Sequence, residues 1–399
     1  MRVAVYVLVG RDTGGLGDFH FYHEQANLLA HGRGWLEPFD HAYGVDHASA
    51  AHPPLWPLVL ALPSRLGLDS VDAHRATGLV LGCVVVVLVA LVARRLAGPC
   101  AGLIAAALAA VYPVLVGADG SLLSETLYGI WVLAVLLAAL ELHARPRLGP
   151  ALVLGVAGGL AALTRGEGVL LALCVAAAAL WAAGGPPRAR VRLAAVVVVA
   201  CGLTIAPWTV RNWIVLGQPV PISTNDSTVL AGANCRPAYS GANMGAWDFG
   251  CIDIPRRPYR SEVALADGWR SDGLRYAADH LGRLPVVIPI RVLRTFDLWQ
   301  PRRQTLFAEG QDRRVAKAGV AAWFLLVPFA VWGLVLLRRR GRPIAILLAV
   351  PAAIVLTSAI GYGVPRFRHP VDLVAVIAAG CALAAWAERR AAVRGGTPA

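Results

Sequence analysis

The chain has 399 residues, of which 57% are hydrophobic and only 15% charged, with a formal net charge of +13. Soluble domains carry about 25% charged residues, so this composition excludes an ordinary soluble protein. The arginines are dispersed between apolar blocks that are about as long as a bilayer is thick, which argues against a nucleic-acid-binding domain.

Two short apolar stretches come first in the chain. Arg2–Gly10 would rise only about 14 Å as a helix, so we interpret it as the second half of a spanning helix. A misassigned start codon and the loss of part of a first helix would each explain its length. Pro53–Leu66 is short and contains four prolines, so we expect it to lie along the membrane surface.

Nine longer apolar segments follow. Each is expected to cross the membrane as a helix, because backbone amides in hydrocarbon must be paired within their own segment. The segments are Ala76–Ala93, Ala101–Gly117, Leu127–Leu142, Leu148–Leu163, Gly168–Ala183, Leu193–Val210, Ala318–Leu337, Pro343–Gly361 and Val371–Ala387.

Arginines cluster after every second segment of this series. The clusters are Arg94 and Arg95; Arg145 and Arg147; Arg188, Arg190 and Arg192; Arg338, Arg339, Arg340 and Arg342; and Arg389, Arg390 and Arg394. Cytoplasmic loops are rich in Arg and Lys, so these junctions predict the cytoplasmic side of a multi-pass plasma-membrane protein. The opposite loops, which hold nearly all the acidic residues, predict an extracytoplasmic working face.

The large outer loop, 213–317, divides into two parts. Its first half is rich in turn residues, and its second half, Ser261–Leu293, has the apolar spacing of surface helices. Cys235 and Cys251 both lie in the first half. A disulfide between them and two unpaired thiols are both consistent with the sequence.

Two carboxylates stand at the outer ends of predicted helices. Asp18 follows the N-terminal apolar stretch, and Glu125 precedes the third span. A carboxylate at the edge of hydrocarbon is costly unless it is paired or solvated, so each is a candidate for chemistry such as general-base catalysis. The structural alternative is a charge favoured by the helix dipole.

Four arginines also lie at outer helix ends, where the positive-inside rule predicts few. They are Arg165, Arg211, Arg366 and Arg368. A guanidinium donates two hydrogen bonds at once to a phosphate, so together they predict anion recognition. Snorkelling at the interface is the alternative for each arginine singly, and a local pair with Glu167 is the alternative for Arg165.

Seven short motifs occur in a fixed order along the chain. They are Asp-x-x-x-Tyr-His (18–23), His-Pro-Pro-Leu-Trp-Pro (52–57), Arg75, Ser-Glu (124–125), Leu-Thr-Arg-Gly-Glu (163–167), Pro-Trp-x-x-Arg-Asn (207–212) and Arg-Phe-Arg-His-Pro (366–370). This order resembles the membrane glycosyltransferases of the GT-C fold, specifically the family 39-like group. That group is similar to dolichyl-phosphate-mannose-protein mannosyltransferases and to lipid A aminoarabinose transferase.

The resemblance implies an all-α polytopic membrane protein with about nine to ten transmembrane helices, juxtamembrane helices and one large extracytoplasmic loop. It implies a single domain over 1–399, with a first outer loop at 11–75. The implied activity is inverting transfer of a sugar from a polyprenyl-phosphate donor to a hydroxyl of a glycan, lipid or protein acceptor. Donor and acceptor meet at the outer face of the membrane, and no nucleic acid takes part.

The resemblance also implies site residues. Asp18 matches the catalytic base and Glu125 a second catalytic acid, and the remaining matches are substrate-binding residues. Those are Tyr22, His23, His52, Arg165, Glu167, Arg211, Asn212, Arg366 and Arg368. No cofactor is implied with certainty, and a divalent metal stays open because GT-C enzymes differ in metal use and Phe19 follows Asp18 where many relatives have a second acid.

A transporter or lipid flippase without catalytic chemistry is the alternative from another class. Transporters place charged residues near the bilayer midplane in broken helices. Here the predicted spans are nearly free of charge, and Glu141 and Asp372 lie close to their ends. A polymerase or ligase of lipid-linked polysaccharide would share the donor type and differ only in its acceptor.

Overall fold

The computed structural model describes residues 6–7, 17–252, 261–306 and 309–394. The interpretation of Arg2–Gly10 as half a span lies outside these residues, apart from Tyr6 and Val7. We number the helices of eight or more residues in chain order. They are α1 (Asp18–Ala30), α2 (Leu55–Arg65), α3 (Val71–Ala97), α4 (Pro99–Val111), α5 (Pro113–Gly120), α6 (Glu125–Ala144), α7 (Leu148–Thr164), α8 (Gly168–Ala183), α9 (Pro187–Leu216), α10 (Asn225–Ala233), α11 (Glu262–Asp279), α12 (Leu284–Thr295), α13 (Arg313–Arg339), α14 (Ile344–Ile360) and α15 (His369–Arg394).

Shorter helical turns connect these helices. They are Pro38–Ala42, Arg236–Tyr239, Gly241–Asn243, Phe249–Cys251, Leu281–Arg283, Pro301–Gln304 and Pro365–Arg368. An isolated antiparallel bridge joins Leu36 to Ala48 in the first outer loop. The protein is therefore an all-α polytopic membrane protein, as predicted.

Each of the nine predicted spans coincides with helix. Among the described residues, α3, α6, α9, α13 and the 365–391 segment that contains α15 are long and apolar enough to cross a membrane. Three shorter apolar helices, α7, α8 and α14, cover the predicted segments that were near the lower length limit. The predicted span Ala101–Gly117 is covered by two helices together, α4 and α5.

That second span is broken rather than continuous. Its halves, α4 and α5, meet at an angle of 57°. Pro113 has no backbone N–H to continue the helix, and the residue before a proline avoids helical geometry, so Tyr112 is extended with φ −69° and ψ 118°. The bend turns the Tyr112 hydroxyl towards Asp372, to which it donates a hydrogen bond of 2.7 Å.

Small residues allow the spanning helices to approach closely. A side chain at Gly155 of α7 would meet the backbone oxygen of Val197 in α9 at 2.5 Å, and Gly333 of α13 lies directly against Ala378 of α15. Lipid provides no hydrophobic driving force between helices, so close van der Waals contact of this kind is the main source of their association.

The structure answers the question that the sequence left open in the large outer loop, the pairing of its two cysteines. Cys235 and Cys251 form a disulfide, with their Cα atoms 6.3 Å apart. The second half is helical, as predicted, and forms α11 and α12. The turn-rich first half contains one further helix, α10, which packs against α11. These elements lie beside the helix ends that carry the polar motifs.

The first two arginine-rich junctions lie together at the other ends of the helices. Arg95, in the last turn of α3, forms an ion pair with Glu141 near the end of α6. Arg145 pairs with the same carboxylate at 3.4 Å. In the fold, these basic junctions therefore lie at the helix ends opposite those that carry the acidic junctions.

Candidate active site

Arg366 lies at the centre of a cluster of carboxylates. Each of its three guanidinium nitrogens donates to a different acidic side chain: Nη2 to Asp18 at 3.1 Å, Nε to Glu125 at 2.7 Å, and Nη1 to Glu309 at 2.6 Å. The side chain of Arg366 is only 18% exposed. One cation thus joins three segments that are distant in sequence.

Local helix geometry explains where two of these carboxylates stand. Asp18 is the first residue of α1 and Glu125 is the first residue of α6. Unpaired N–H groups and the dipole make a helix N-terminus favourable for a negative charge. Arg366 belongs to the turn Pro365–Arg368, which leads directly into α15. The N-terminal ends of α1, α6 and α15 therefore lie together around Arg366.

Arg165 extends the cluster on the Glu125 side. It donates to Glu125 at 2.8 Å, to Glu167 at 2.6 Å and to the Ser124 hydroxyl at 3.3 Å. The local pair with Glu167 predicted from the sequence is present. Because Glu125 accepts from two guanidiniums through Oε1 and is only 4% exposed, its carboxylate is held in place.

Asp18 is the most accessible of the carboxylates at the centre of the cluster, with 32% of its side chain exposed. Burial raises its pKa, but the charge of Arg366 above all outweighs burial and holds the pKa of Asp18 below its usual value. The Nε2 atom of His52 lies 3.7 Å from Asp18. Burial lowers the pKa of His52 itself, so its imidazole is neutral near pH 7 while Asp18 is ionised.

Two cavities meet at Arg366, which lines both of them. The wide cavity has a volume of about 460 Å³ and is lined by Asp18, Tyr22, His52, Arg165, Glu167 and the outer-loop residues of α10. The narrow cavity has a volume of about 90 Å³. Its apolar wall is formed by α5 and α13, and Glu125, Glu309 and Arg368 complete it. Asp18 therefore faces one cavity, and Glu125 faces the other.

The structure brings most of the predicted site residues together. Tyr22, His52, Arg165 and Glu167 line the wide cavity, beside Asp18. Tyr22 packs edge-on against His52, with ring centroids 5.2 Å apart. Tyr22 of the first motif and His52 of the second are thus neighbours of Asp18, the candidate base.

Arg368 is placed differently from Arg366, two residues earlier. It is 1% exposed and donates to Asp297 at 2.7 Å and to Asp372 at 3.2 Å. Its guanidinium also lies over the Trp323 ring, 4.2 Å from the centroid. Although Arg368 borders the narrow cavity, its nitrogens are engaged with two buried carboxylates.

Arg211 and Asn212 lie outside both cavities and hold loops instead. Arg211 donates to the backbone oxygens of Ser49 and Trp35, and Asn212 donates to the backbone oxygen of Val220. The expectation that four outer arginines form one anion site is therefore corrected for Arg211. Backbone carbonyl oxygens, rather than a phosphate, accept the hydrogen bonds of its guanidinium here.

His23 also points away from the cavities. Its Nδ1 lies 3.0 Å from Nδ1 of His74 in α3. His23 follows Asp18 by five residues, about one and a half turns of α1, so the two side chains lie on different faces of the helix. The structure therefore gives His23 contacts within the helix packing rather than a position at the candidate site.

The sequence analysis missed Glu309 and Tyr362. Glu309 binds Arg366, and Tyr362 lines the wide cavity. Burial raises the pKa of Tyr362 to about 12. Burial, and then the charge of Asp18, raise the pKa of Glu309 above its usual value. One signal was available: Glu309 is an acid just ahead of a predicted span on the outer face, which is also the position of Glu125.

The cluster does not fit a bound metal ion as it stands. Among the described residues, no group of three or more His, Cys, Asp or Glu side chains is arranged to hold a metal. The three carboxylates that surround one point, Asp18, Glu125 and Glu309, are each directed at Arg366. The guanidinium occupies the position that a cation would need.

Residues 51–210 match the family model described as dolichyl-phosphate-mannose-protein mannosyltransferase. A search of curated protein sequences finds no match. Among solved structures, the chain is similar to the oligosaccharyltransferase AglB from Archaeoglobus fulgidus in complex with an inhibitory peptide and a dolichol-phosphate. That match has a TM-score of 0.58 and 16% identity over 100% of this chain and 51% of AglB.

The apo form of the Archaeoglobus fulgidus oligosaccharyltransferase matches with a TM-score of 0.57 and 14% identity, over 98% of this chain and 49% of that one. Its complex with Zn and sulfate matches with a TM-score of 0.54. The chain thus spans about half the length of these proteins. With the family match over 51–210, these likenesses show that this chain is a membrane protein of the GT-C fold.

Proposed function

We propose that this protein is an inverting glycosyltransferase that moves a sugar from a polyprenyl-phosphate donor to an acceptor hydroxyl. The observation that carries the proposal is the position of Asp18, an ionised carboxylate that faces the wide cavity and contacts Arg366. The family match to mannosyltransferases and the likeness to oligosaccharyltransferases support a lipid-linked donor.

The proposed reaction is a single displacement. The acceptor oxygen forms a bond to the anomeric carbon as the bond from that carbon to the phosphate oxygen breaks. The acceptor proton passes to Asp18, which acts as general base. The products are the glycosylated acceptor and the polyprenyl phosphate, whose developing charge Arg366 stabilises from a fixed position.

Inversion follows from the unequal freedom of the carboxylates. A retaining mechanism needs a second carboxylate that is free to attack the sugar. Glu125 accepts from both Arg165 and Arg366 and is buried. In this proposal Glu125 therefore orients the two guanidiniums, and the acceptor itself is the nucleophile.

We place the reaction at the extracytoplasmic face of the plasma membrane. The cluster around Arg366 is built from the ends of helices opposite the Arg-rich junctions, where Arg95 and Arg145 share Glu141. Arg-rich junctions favour the cytoplasmic side. Cysteine accessibility labelling in intact cells tests the orientation, in a background whose five free cysteines are replaced by alanine. Asp272→Cys should react with a membrane-impermeant reagent, and Arg188→Cys should not.

The central test is transfer by purified protein in proteoliposomes with radiolabelled polyprenyl-phosphate sugars, tracing the label to lipid, glycan or protein. Asp18→Asn should abolish transfer, because the amide cannot accept the proton. Asp272→Asn is the matched control, since that carboxylate is 72% exposed on α11, and it should leave transfer unchanged. Full activity in Asp18→Asn would exclude Asp18 as the base, and a lack of transfer from every donor would favour a transporter.

A further inference from the structure

Three arginines of the large outer loop surround its segment 239–244. Arg283 and Arg294 donate to backbone oxygens of this segment at 2.6–2.9 Å, and Arg303 donates to the amide oxygen of Asn243 at 3.0 Å. Within the described part of the chain, none of the three forms an ion pair with a carboxylate. Burial, and then the charge of Arg303, lower the pKa of Arg294 to about 10. Positive charge is therefore concentrated here without a counter-charge.

Arg302 adds a fourth cation next to Arg303, in the turn Pro301–Gln304. Its side chain is exposed, and its guanidinium makes no hydrogen bond or ion pair with any described residue. The two arginines, together with the two residues before them, line an open cavity of about 450 Å³. This cavity shares no lining residue with either of the two that border Arg366, so it is a separate surface of the protein.

Local hydrogen bonds fix the backbone of this turn. Gln300 is a non-glycine residue in the left-handed region, with φ 49°, so the chain changes direction sharply just before the turn. The backbone N–H of Arg303 then donates to the oxygen of Gln300 at 2.9 Å. The hydroxyl of Thr305 donates to the backbone oxygen of Arg302 at 2.9 Å. Both arginine side chains therefore start from a defined position.

The turn lies at the level where α13 enters the membrane. Gln304, the last residue of the turn, lines the narrow cavity together with Val315 and Gly319 of the first two turns of α13. Among the described helices, α13 is one of those long and apolar enough to cross a membrane. Because Gln304 directly follows Arg303, both guanidiniums of the turn lie close to the lipid headgroups at this end of α13.

Exposed leucines flank the two arginines on both sides in sequence. Leu298 is 58% exposed and Leu306 is 52% exposed. Leaving large apolar side chains in water is costly, and cations beside them are typical of segments at the boundary between headgroups and acyl chains. A soluble anion or an acidic glycan would use the arginines alone. A lipid with an anionic headgroup uses the arginines and the leucines together.

We propose that the turn Pro301–Gln304 and its flanking leucines form a binding site for an anionic phospholipid of the surrounding bilayer. The guanidiniums of Arg302 and Arg303 bind the lipid phosphate, because each donates two hydrogen bonds at once to such a group. Leu298 and Leu306 contact the acyl chains. The lipid bound here is a component of the membrane and not a substrate, so the site does not depend on the proposed sugar transfer.

The test is photo-crosslinking in nanodiscs that contain the full-length protein. The probe is phosphatidylglycerol with a photoactivatable group in its acyl chain, and mass spectrometry of peptides locates the labelled residues. Label should appear in the segment 297–306, and the matched phosphatidylcholine probe should label this segment at least fivefold less. Equal labelling of the segment by the two probes, or none by either, would overturn the proposal.

A pair of double variants separates this site from the general effect of positive charge. Arg302→Gln with Arg303→Gln should lower the labelling of 297–306 by phosphatidylglycerol at least fivefold. Arg33→Gln with Arg275→Gln removes the same charge from exposed positions of other outer segments, and it should change this labelling by less than twofold. An equal decrease in the two double variants would show that net charge, and not a site, attracts the lipid.

Competition distinguishes a lipid from a free anion. An excess of inorganic phosphate should leave the labelling of 297–306 unchanged within twofold, because it lacks the acyl chains that the leucines contact. Displacement of the lipid by inorganic phosphate would identify a site for the anion alone and contradict the lipid assignment. Labelling requires no sugar donor, so a protein that transfers no sugar can still confirm this site.

Discussion

Arg366 and Arg368 stand two residues apart in one motif and lie in different surroundings. Arg366 is 18% exposed, borders two cavities and binds three carboxylates from outer helix ends and loops. Arg368 borders only the narrow cavity and is almost fully buried, with Asp297 and Asp372 as its partners. Residue type and motif are the same, so what differs is access: Arg366 borders both cavities and is partly exposed, whereas Arg368 borders one of them and is 1% exposed.

The largest expected effect is on stability, from Arg368→Gln. This change leaves two carboxylates buried without a cation, which costs about 3–5 kcal/mol. Thermal unfolding in detergent should show a much lower midpoint, and little protein should be recovered in monodisperse form. Adding Asp297→Asn and Asp372→Asn should restore much of the stability, and a single variant as stable as the parent would contradict a structural role for Arg368.

Arg366→Gln should leave the fold intact and remove transfer activity. Asp18 and Glu309 are partly exposed and Glu125 keeps Arg165 as its cation, so the midpoint of unfolding should move much less than in Arg368→Gln. Transfer should fall about 100- to 1,000-fold, the usual cost of losing a fixed electrostatic contact to a transition state. Equal loss of stability in Arg366→Gln and Arg368→Gln would remove the distinction between the two arginines.

The pH dependence of transfer tests the link between Arg366 and Asp18. The base is active when ionised, and the charge of Arg366 above all holds the pKa of Asp18 below its usual value. Activity that depends on this group should therefore persist as the pH falls to about 4, the ordinary value for Asp. In Arg366→Gln the residual activity should be lost at higher pH, because burial then dominates. An acid limb at the same pH in both proteins would argue against this coupling.

The smallest expected effect is that of a chelator. Arg366 occupies the position between Asp18, Glu125 and Glu309 that a divalent cation would need. Transfer by the parent protein should therefore change by less than twofold on addition of EDTA. Strong loss of activity that Mg²⁺ or Mn²⁺ restores would show that Arg366 moves aside for a metal during the reaction.

Much of the candidate site was predictable because its residues share a local property. The shared property is a charged group at a helix end on the face opposite the Arg-rich junctions. The chain topology alone places these residues at one membrane depth: Asp18, Glu125, Arg165 and Arg366. Glu309 has the same kind of position, but the loop around it carried no motif, so its contact with Arg366 appeared only in the structure.

Other residues were not predictable because their partners are backbone atoms. Arg211 resembled the anion-binding arginines in sequence, yet it donates to the carbonyl oxygens of Trp35 and Ser49. Backbone carbonyls carry no sequence signature, so only the folded chain shows that they are close. Arg368 likewise depended on Asp297 and Asp372, whose burial beside it required the packing of α12 and α15.

By itself, the sequence determined the membrane class, the positions of the nine apolar segments and the separation of basic from acidic junctions. These features follow from the composition of short segments, since hydrocarbon selects apolar helices and charge bias orients them. The tertiary structure alone decided that Pro113 breaks one span and that Cys235 pairs with Cys251. It also decided that Arg366 borders two cavities and is partly exposed while Arg368 is almost fully buried, because access to solvent depends on which helices pack together.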